Sequence, residues 1–91
     1  MLVRWSPEAY NDLARIVQHI REQNPTAALR VAKTIYKGVA RLKTSPRRGR
    51  PGRVDGTREL VLSPLPFVVV YRIAKNAVEV ARVLHGAQRW P

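Results

Sequence analysis

The spacing of apolar residues changes once along this chain, from helical in the first half to strand-like in the last third. Ala9, Leu13, Ile16 and Ile20 recur at the three- and four-residue steps of one helical face, and Ala28, Val31, Ile35, Val39 and Leu42 repeat the pattern. Each stripe has a start signal. Ser6-Pro7 and Asn24-Pro25 both place a capping oxygen ahead of a proline whose fixed φ suits the first helical position. Thr44-Ser45-Pro46 ends the second stripe, and the short link between the two predicts an antiparallel helix hairpin. Ahead of the hairpin, Leu2 to Trp5 reads as a short strand with Val3 and Trp5 on one side.

After the second stripe, Arg47 to Gly56 has three glycines, one proline and four arginines without apolar periodicity, and is expected to be a loop. Three strand-like runs follow at Thr57–Leu62, Phe67–Ile73 and Ala77–Leu84. Ser63-Pro64-Leu65-Pro66 and Ala74-Lys75-Asn76 separate them, so an antiparallel meander is expected. The middle run is apolar on both faces, which marks a central strand. The expected architecture over residues 1–91 is therefore one α+β domain. An N-terminal strand, a helix hairpin and a three-stranded meander form one sheet with both helices on one face. The other face is expected to stay partly open, carrying arginine beside apolar residues.

Charge changes the picture from a packed fold to a fold that wants a partner. Seventeen Lys and Arg stand against six Asp and Glu, a net charge of +11. Most of the cations are arginine, whose planar fork suits bidentate contact with phosphate or carboxylate. Such an excess implies nucleic acid or an acidic protein as partner. The absence of cysteine excludes disulfide and thiol chemistry. The amino terminus lacks the apolar core of a signal peptide, and the longest apolar run, Phe67 to Tyr71, is too short to span a bilayer, so a cytoplasmic chain is expected. His19 and His85 stand in no metal-ligand spacing, and no metal or cofactor is expected.

The candidate site residues follow from the strands. Arg58, Arg72 and Arg82 each interrupt an apolar run, and a buried guanidinium needs an anionic partner or access to water. Arg58 and Arg72 could pair across strands with Glu59 or Glu79. Arg82 shares a side with Val78, Val80 and Leu84, so it needs a specific partner: Asp12 or Glu8 on the first helix, or a carboxylate from outside. His85 is the one histidine placed to act as an acid or base. Arg48-Gly49-Arg50-Pro51 matches the core of the AT-hook, a thin extended segment that lays arginines into a narrow minor groove; the alternative is an ordinary loop.

Taken in order, these residues resemble the RelE/ParE superfamily of bacterial toxins. The resemblance rests on Ser6, Pro7, Glu8, Ala9, Asp12, Leu13, Ile16 and Ile20; on Asn24-Pro25 with Ala27, Ala28 and Arg30; on the loop from Pro46 to Arg53; on Gly56 to Leu60; and on the stretch from Arg82 to Pro91. It covers essentially the whole chain. It implies the toxin of a type II toxin–antitoxin pair, neutralised by a cognate acidic antitoxin that wraps its surface. RelE-like members cleave mRNA on the ribosome, and ParE-like members inhibit DNA gyrase. A RelE-like chemistry here would use Arg72, Arg82 and His85. Target or nucleic-acid binding would fall to Arg48, Arg50, Arg53, Arg58 and Trp90. The third strand opens Phe67-Val68-Val69-Val70, where nucleases of the family commonly carry an arginine, and the indole of Trp90 cannot act as a general base. Both departures favour the ParE-like reading.

Overall fold

The structure, a computed structural model, describes residues 1–86 and 88–91; Ala87 of the C-terminal motif lies outside them. Its elements are β1 (Leu2–Trp5), α1 (Pro7–Arg21), α2 (Pro25–Ala40), β2 (Arg50–Pro51), β3 (Arg58–Val61), β4 (Phe67–Ala74) and β5 (Ala77–His85). Both helices start as their sequence signals predict. Ser6 Oγ accepts the Ala9 N–H at 3.0 Å, Asn24 Oδ1 accepts the Ala27 N–H at 3.1 Å, and a proline follows each cap. Such caps contribute about 1 kcal/mol each by satisfying donors that the helix leaves free.

The sheet runs β1-β5-β4-β3-β2, with β1 parallel to β5 and every other pair antiparallel. The meander is present as expected, and β4 lies at its centre. The segment expected to be a loop is more ordered than its composition suggested. It holds a 3₁₀ turn at Pro46–Arg48 and the two-residue β2, which pairs with Arg58 and Glu59 and adds a fifth strand. Pro51 has no N–H to donate, and such a residue is tolerated on an edge strand. The Lys75-Asn76 turn between β4 and β5 uses a positive φ of 62° at Asn76, a residue whose short polar side chain tolerates that region.

The core lies between the helix hairpin and one sheet face. Ala9, Ile35 and Val39 of the helices meet Val69, Tyr71, Val78, Val80 and Val83 of the sheet, all essentially inaccessible. A β-bulge shifts the alternation on β5: Val70 faces Arg82 while Tyr71 faces Val80, so Ala81 has no opposite number. The shift sends Val83, not Leu84, into the core beside Val78 and Val80. It corrects the expectation that Leu84 lies on that side.

The second face is less open than its residues implied. Val70 and Leu84 are buried there, and with Val68 they line a narrow cleft of about 60 Å³ closed by Trp90. The C-terminal segment therefore supplies part of the cover expected from a partner. Val61 and Arg72 remain exposed on this face.

Candidate functional site

β1 ends at Trp5, opposite Val80, where the chain turns into α1. Beyond that point β5 continues to His85 with no strand on its outer edge. Outward-facing backbone groups at such an edge need other partners. Asp12 of α1 accepts the Val83 N–H at 3.0 Å, and the Gln88 side chain accepts the His85 N–H at 2.7 Å. The same Asp12 carboxylate accepts two bonds from the Arg82 guanidinium, at 2.7 and 3.0 Å, and one from Arg15 at 3.0 Å. Asp12 is 5% exposed. Burial alone would raise its pKa. The bonds from Arg82, Val83 N–H and Arg15, with the Arg82 charge, outweigh burial and hold the carboxyl below its ordinary value. The hydrogen bond to Asp12 in turn raises the Arg82 pKa.

Between α1 and this edge runs a cleft of about 580 Å³. Ile16, Ile20, Phe67 and Val83 give it apolar walls, and Arg15, His19, Arg82 and His85 give it a basic rim. The His85 ring meets Phe67 edge-on, with centroids 5.9 Å apart. The cleft can take an amphipathic segment with carboxylates along its border.

The arginine on each strand faces a different environment, which corrects the idea of one arginine-bearing face. Arg82 finds its carboxylate in Asp12, one of the two internal partners expected. Arg58 pairs with neither glutamate. Its Nη1 donates to the carbonyls of Gly49 at 2.6 Å and Arg47 at 3.3 Å, holding the loop against β3. Glu59 is taken by Arg50 and Glu79 by Arg4, and Arg72 is left exposed without an acidic partner among the described residues.

Of the three residues of the nuclease reading, Arg82 and His85 border the same cleft, and Arg72 stands apart from it. Arg72 stands five residues along β4 from Phe67, the partner of His85, a separation of about 17 Å at strand rise. Arg82 lies between them with its fork on Asp12. Of the two readings of Arg48 to Pro51, the contacts favour the ordinary loop over the AT-hook. Gly49 is buried, its N–H donates to the Tyr71 hydroxyl at 2.8 Å, and an added Cβ would lie 2.7 Å from that oxygen. Arg50 is bound to Glu59 through Nε and Nη2. The segment is therefore not a free extended arm.

Arg50, Arg53, Glu59 and Trp90 do come together. Glu59 accepts the Arg53 N–H at 3.3 Å as well as the Arg50 fork, and Arg53 Nη1 donates to the Trp90 carbonyl at 3.1 Å. The Trp90 indole N–H is buried there without an acceptor among the described residues. Arg48 is exposed beside Lys37 and Arg41. Two contributors escaped sequence reasoning in the roles they take. Asp12 also caps a strand edge, and Tyr71 anchors the basic loop through its hydroxyl, which donates to the Pro46 carbonyl at 2.6 Å. No periodicity announces either contact, because each depends on where β1 and β4 end up in the sheet.

Residues 3–90 match the family model described as the ParE toxin of the type II toxin–antitoxin system parDE. The chain belongs to the ParE toxin family. The toxin is 42% identical over 89 residues to Y4kP of Sinorhizobium fredii, covering 98% of this chain and 92% of that one. It is 35% identical over 86 residues to Toxin RelE2 of Caulobacter vibrioides, covering 94% and 96% of the two chains. A chain of the chromosomal ParDE system from P. aeruginosa superposes with a TM-score of 0.86 at 28% identity, over 93% of this chain and 95% of the other. A YoeB/ParE toxin from Agrobacterium tumefaciens shares the fold, with a TM-score of 0.65 at 16% identity, over 93% and 98% of the chains. The toxin is thus a type II toxin of the RelE/ParE superfamily, and that family implies an antitoxin partner. Among its described residues, no helix is long and apolar enough to cross a membrane.

Proposed function

We propose that this toxin arrests growth in the cytoplasm by binding DNA gyrase, and that it cuts no message. The observation that supports the reading is that, of the two arginines a metal-free ribonuclease could use here, one stands remote from His85 and the other is already paired. Such an enzyme requires a base, an acid and a cation within reach of one phosphate. Arg82 is held by a carboxylate on α1, and Arg72 points from the other sheet face about 17 Å along β4 from the level of His85. An arginine held by a buried carboxylate is a poor donor to a phosphate, because breaking that pair leaves the buried Asp12 charge with only Arg15 and the Val83 N–H.

The cognate antitoxin, in this reading, lays an acidic amphipathic segment into the cleft between α1 and the free edge of β5. Its apolar side covers Ile16, Ile20 and Phe67, and its carboxylates meet Arg15, His19 and His85. Binding then weakens as salt rises, because the Arg15 charge on the rim is exposed. Isothermal titration across a salt series tests this half, and salt-independent affinity contradicts it.

Induction without antitoxin, read out by gyrase supercoiling and by primer extension on translated message, tests the target. Loss of supercoiling with intact message, unchanged in His85→Ala, is expected. Discrete cuts within codons that vanish in His85→Ala would replace this reading with the ribosome-dependent endonuclease.

A further inference from the structure

Residues 23–54 contain no Asp or Glu and nine Lys or Arg. Four of these cations, Arg30, Lys33, Lys37 and Arg41, recur at three- and four-residue steps along α2 and its C-cap. That spacing places them on one helical face, away from the buried Ala28, Ile35 and Val39. Arg48 continues the row. With Lys37 and Arg41 it borders a groove of about 310 Å³ between α2 and β3, floored by the buried Leu60 and Leu62. Gly38 sets how closely the two walls approach, since a Cβ there would stand 2.7 Å from a methyl of Leu62. Among the described residues, none of the five cations forms an ion pair. The groove shares no residue with the cleft between α1 and β5.

We propose that this row is a docking surface for the sugar–phosphate backbone of duplex DNA, separate from the antitoxin cleft and independent of the gyrase assignment. Spacing supports the match. Arg30 to Arg41 spans eleven residues of helix, about 16 Å at 1.5 Å per residue. Over that length one strand of B-DNA presents about five phosphates. Four cations over the length of about five phosphates, with Arg48 extending the row beyond the helix, is a near-neutralising fit, and a helix matches a stiff duplex better than a flexible strand.

The groove also lacks what other nucleic acids need. Single strands are held by aromatic stacking, and no aromatic ring lines the groove. RNA is distinguished through its 2′-hydroxyls, which call for neutral donors and acceptors. Of the two hydroxyls present, Thr34 already donates to the Arg30 carbonyl, which leaves Ser63. The residues in reach are suited to phosphates and carry no base-reading set, so sequence-independent binding follows.

Fluorescence anisotropy with the purified toxin and a labelled mixed-sequence DNA duplex, repeated across a KCl series, tests the proposal. Five phosphate contacts give a slope of log affinity against log salt near −4.5, or about −0.9 per contact. Lys37→Gln/Arg41→Gln/Arg48→Gln should flatten that slope by about 2.7 and weaken binding at moderate salt by on the order of 10²-fold. Arg21→Gln/Lys75→Gln/Arg89→Gln removes the same charge from exposed positions elsewhere and should leave slope and affinity close to the parent's. Circular dichroism confirms that both variants fold.

Equal losses in the two variants would overturn the proposal, because binding would then follow net charge alone. Unchanged binding by the first variant would overturn it as well. Tighter binding to an RNA duplex would remove the DNA assignment. Tighter binding to poly-L-glutamate, lost in the first variant, would give the groove to an acidic protein instead.

Discussion

Asp12→Asn is the sharpest test of how the site is built. It is nearly isosteric, yet it removes the charge at the meeting point of four hydrogen bonds: two from Arg82, one from the Val83 N–H and one from Arg15. The asparagine oxygen can still accept the Val83 N–H. Its amide NH₂ must then face a guanidinium, donor against donor. Breaking a fully buried ion pair costs about 3–5 kcal/mol. The Arg82 and Arg15 side chains are 38% and 74% exposed, so water recovers part of that loss. A destabilisation of about 2–3 kcal/mol remains, which for a domain of this size lowers Tm by about 10–20 °C. A thermal melt at neutral pH checks it. A fall of less than about 3 °C would show that the contact is worth well under 1 kcal/mol and refute the reasoning. A double-mutant cycle with Arg82→Gln should return a coupling of about 1 kcal/mol or more.

The same carboxylate predicts an acid dependence of known sign. Its pKa in the folded protein lies below the ordinary value of 3.8, so the unfolded chain takes up the proton first as pH falls. The stabilisation is complete above that ordinary value and is lost as pH drops through the folded pKa. The parent should therefore lose stability in this acid range more steeply than Asp12→Asn, with the gap between them closing as pH falls. A constant gap down to acid unfolding would show that the charge contributes nothing.

Three further outcomes follow from the basic loop and the C-terminus. Tyr71→Phe leaves the buried Gly49 N–H without its acceptor and the Pro46 carbonyl without its donor, a loss of about 1–3 kcal/mol measurable by urea unfolding. Hydrogen exchange in that variant should rise first across residues 46–53. Gly49→Ala should destabilise by a similar amount, since the new Cβ would sit 2.7 Å from the Tyr71 hydroxyl and 2.9 Å from the Glu59 carbonyl; a Tm equal to the parent's would contradict the close approach. Trp90→Phe keeps a ring over Val68, Val70 and Leu84 while removing a buried N–H that has no acceptor among the described residues. It should therefore cost far less than Trp90→Ala, and equal melting temperatures for the two would show that Trp90 covers nothing.

Local signals were legible in the chain to the extent that one residue's chemistry decided them. Ser6-Pro7 and Asn24-Pro25 start both helices because cap and proline act on the next turn only. The apolar run from Phe67 to Ile73 marks the central strand because burial on both faces needs no knowledge of its neighbours. Phase was harder. The bulge at Ala81 reversed the alternation on β5 and exchanged Leu84 for Val83 in the core, and nothing in Val80-Ala81-Arg82-Val83 announces an inserted residue. The site depended on the same kind of information. Asp12 was visible as a possible partner for Arg82, but its hold on the Val83 N–H exists because β1 stops short and leaves that edge bare. Arg48 to Pro51 could be read as a free arm or as a tethered loop, because glycine and proline say nothing of Tyr71, distant in sequence, whose hydroxyl fastens the segment down.

Four of the six carboxylates show where the surplus charge is left. Glu59 and Glu79 neutralise Arg50 and Arg4 on the sheet, and Asp12 serves Arg82 and Arg15 at its margin. Glu8 adds a through-space attraction to the same Arg82. Asp12 is thus spent where an unpaired charge would lie close to apolar residues and be most costly, while Glu59 and Glu79 neutralise exposed arginines. A solvent-facing side of a helix imposes no such demand, because its cations keep their hydration whether or not a partner is present. That is why an unneutralised row can run along α2, as the exposed Arg72 can stand on β4 without an acid among the described residues. A surface placed there can gain or lose cations with little effect on the core, whereas exchanging Arg82 disturbs the packing of α1 on β5. Partner choice through α2 and stability through Asp12 are therefore separable by mutation, and the two sets of variants above should not compensate one another.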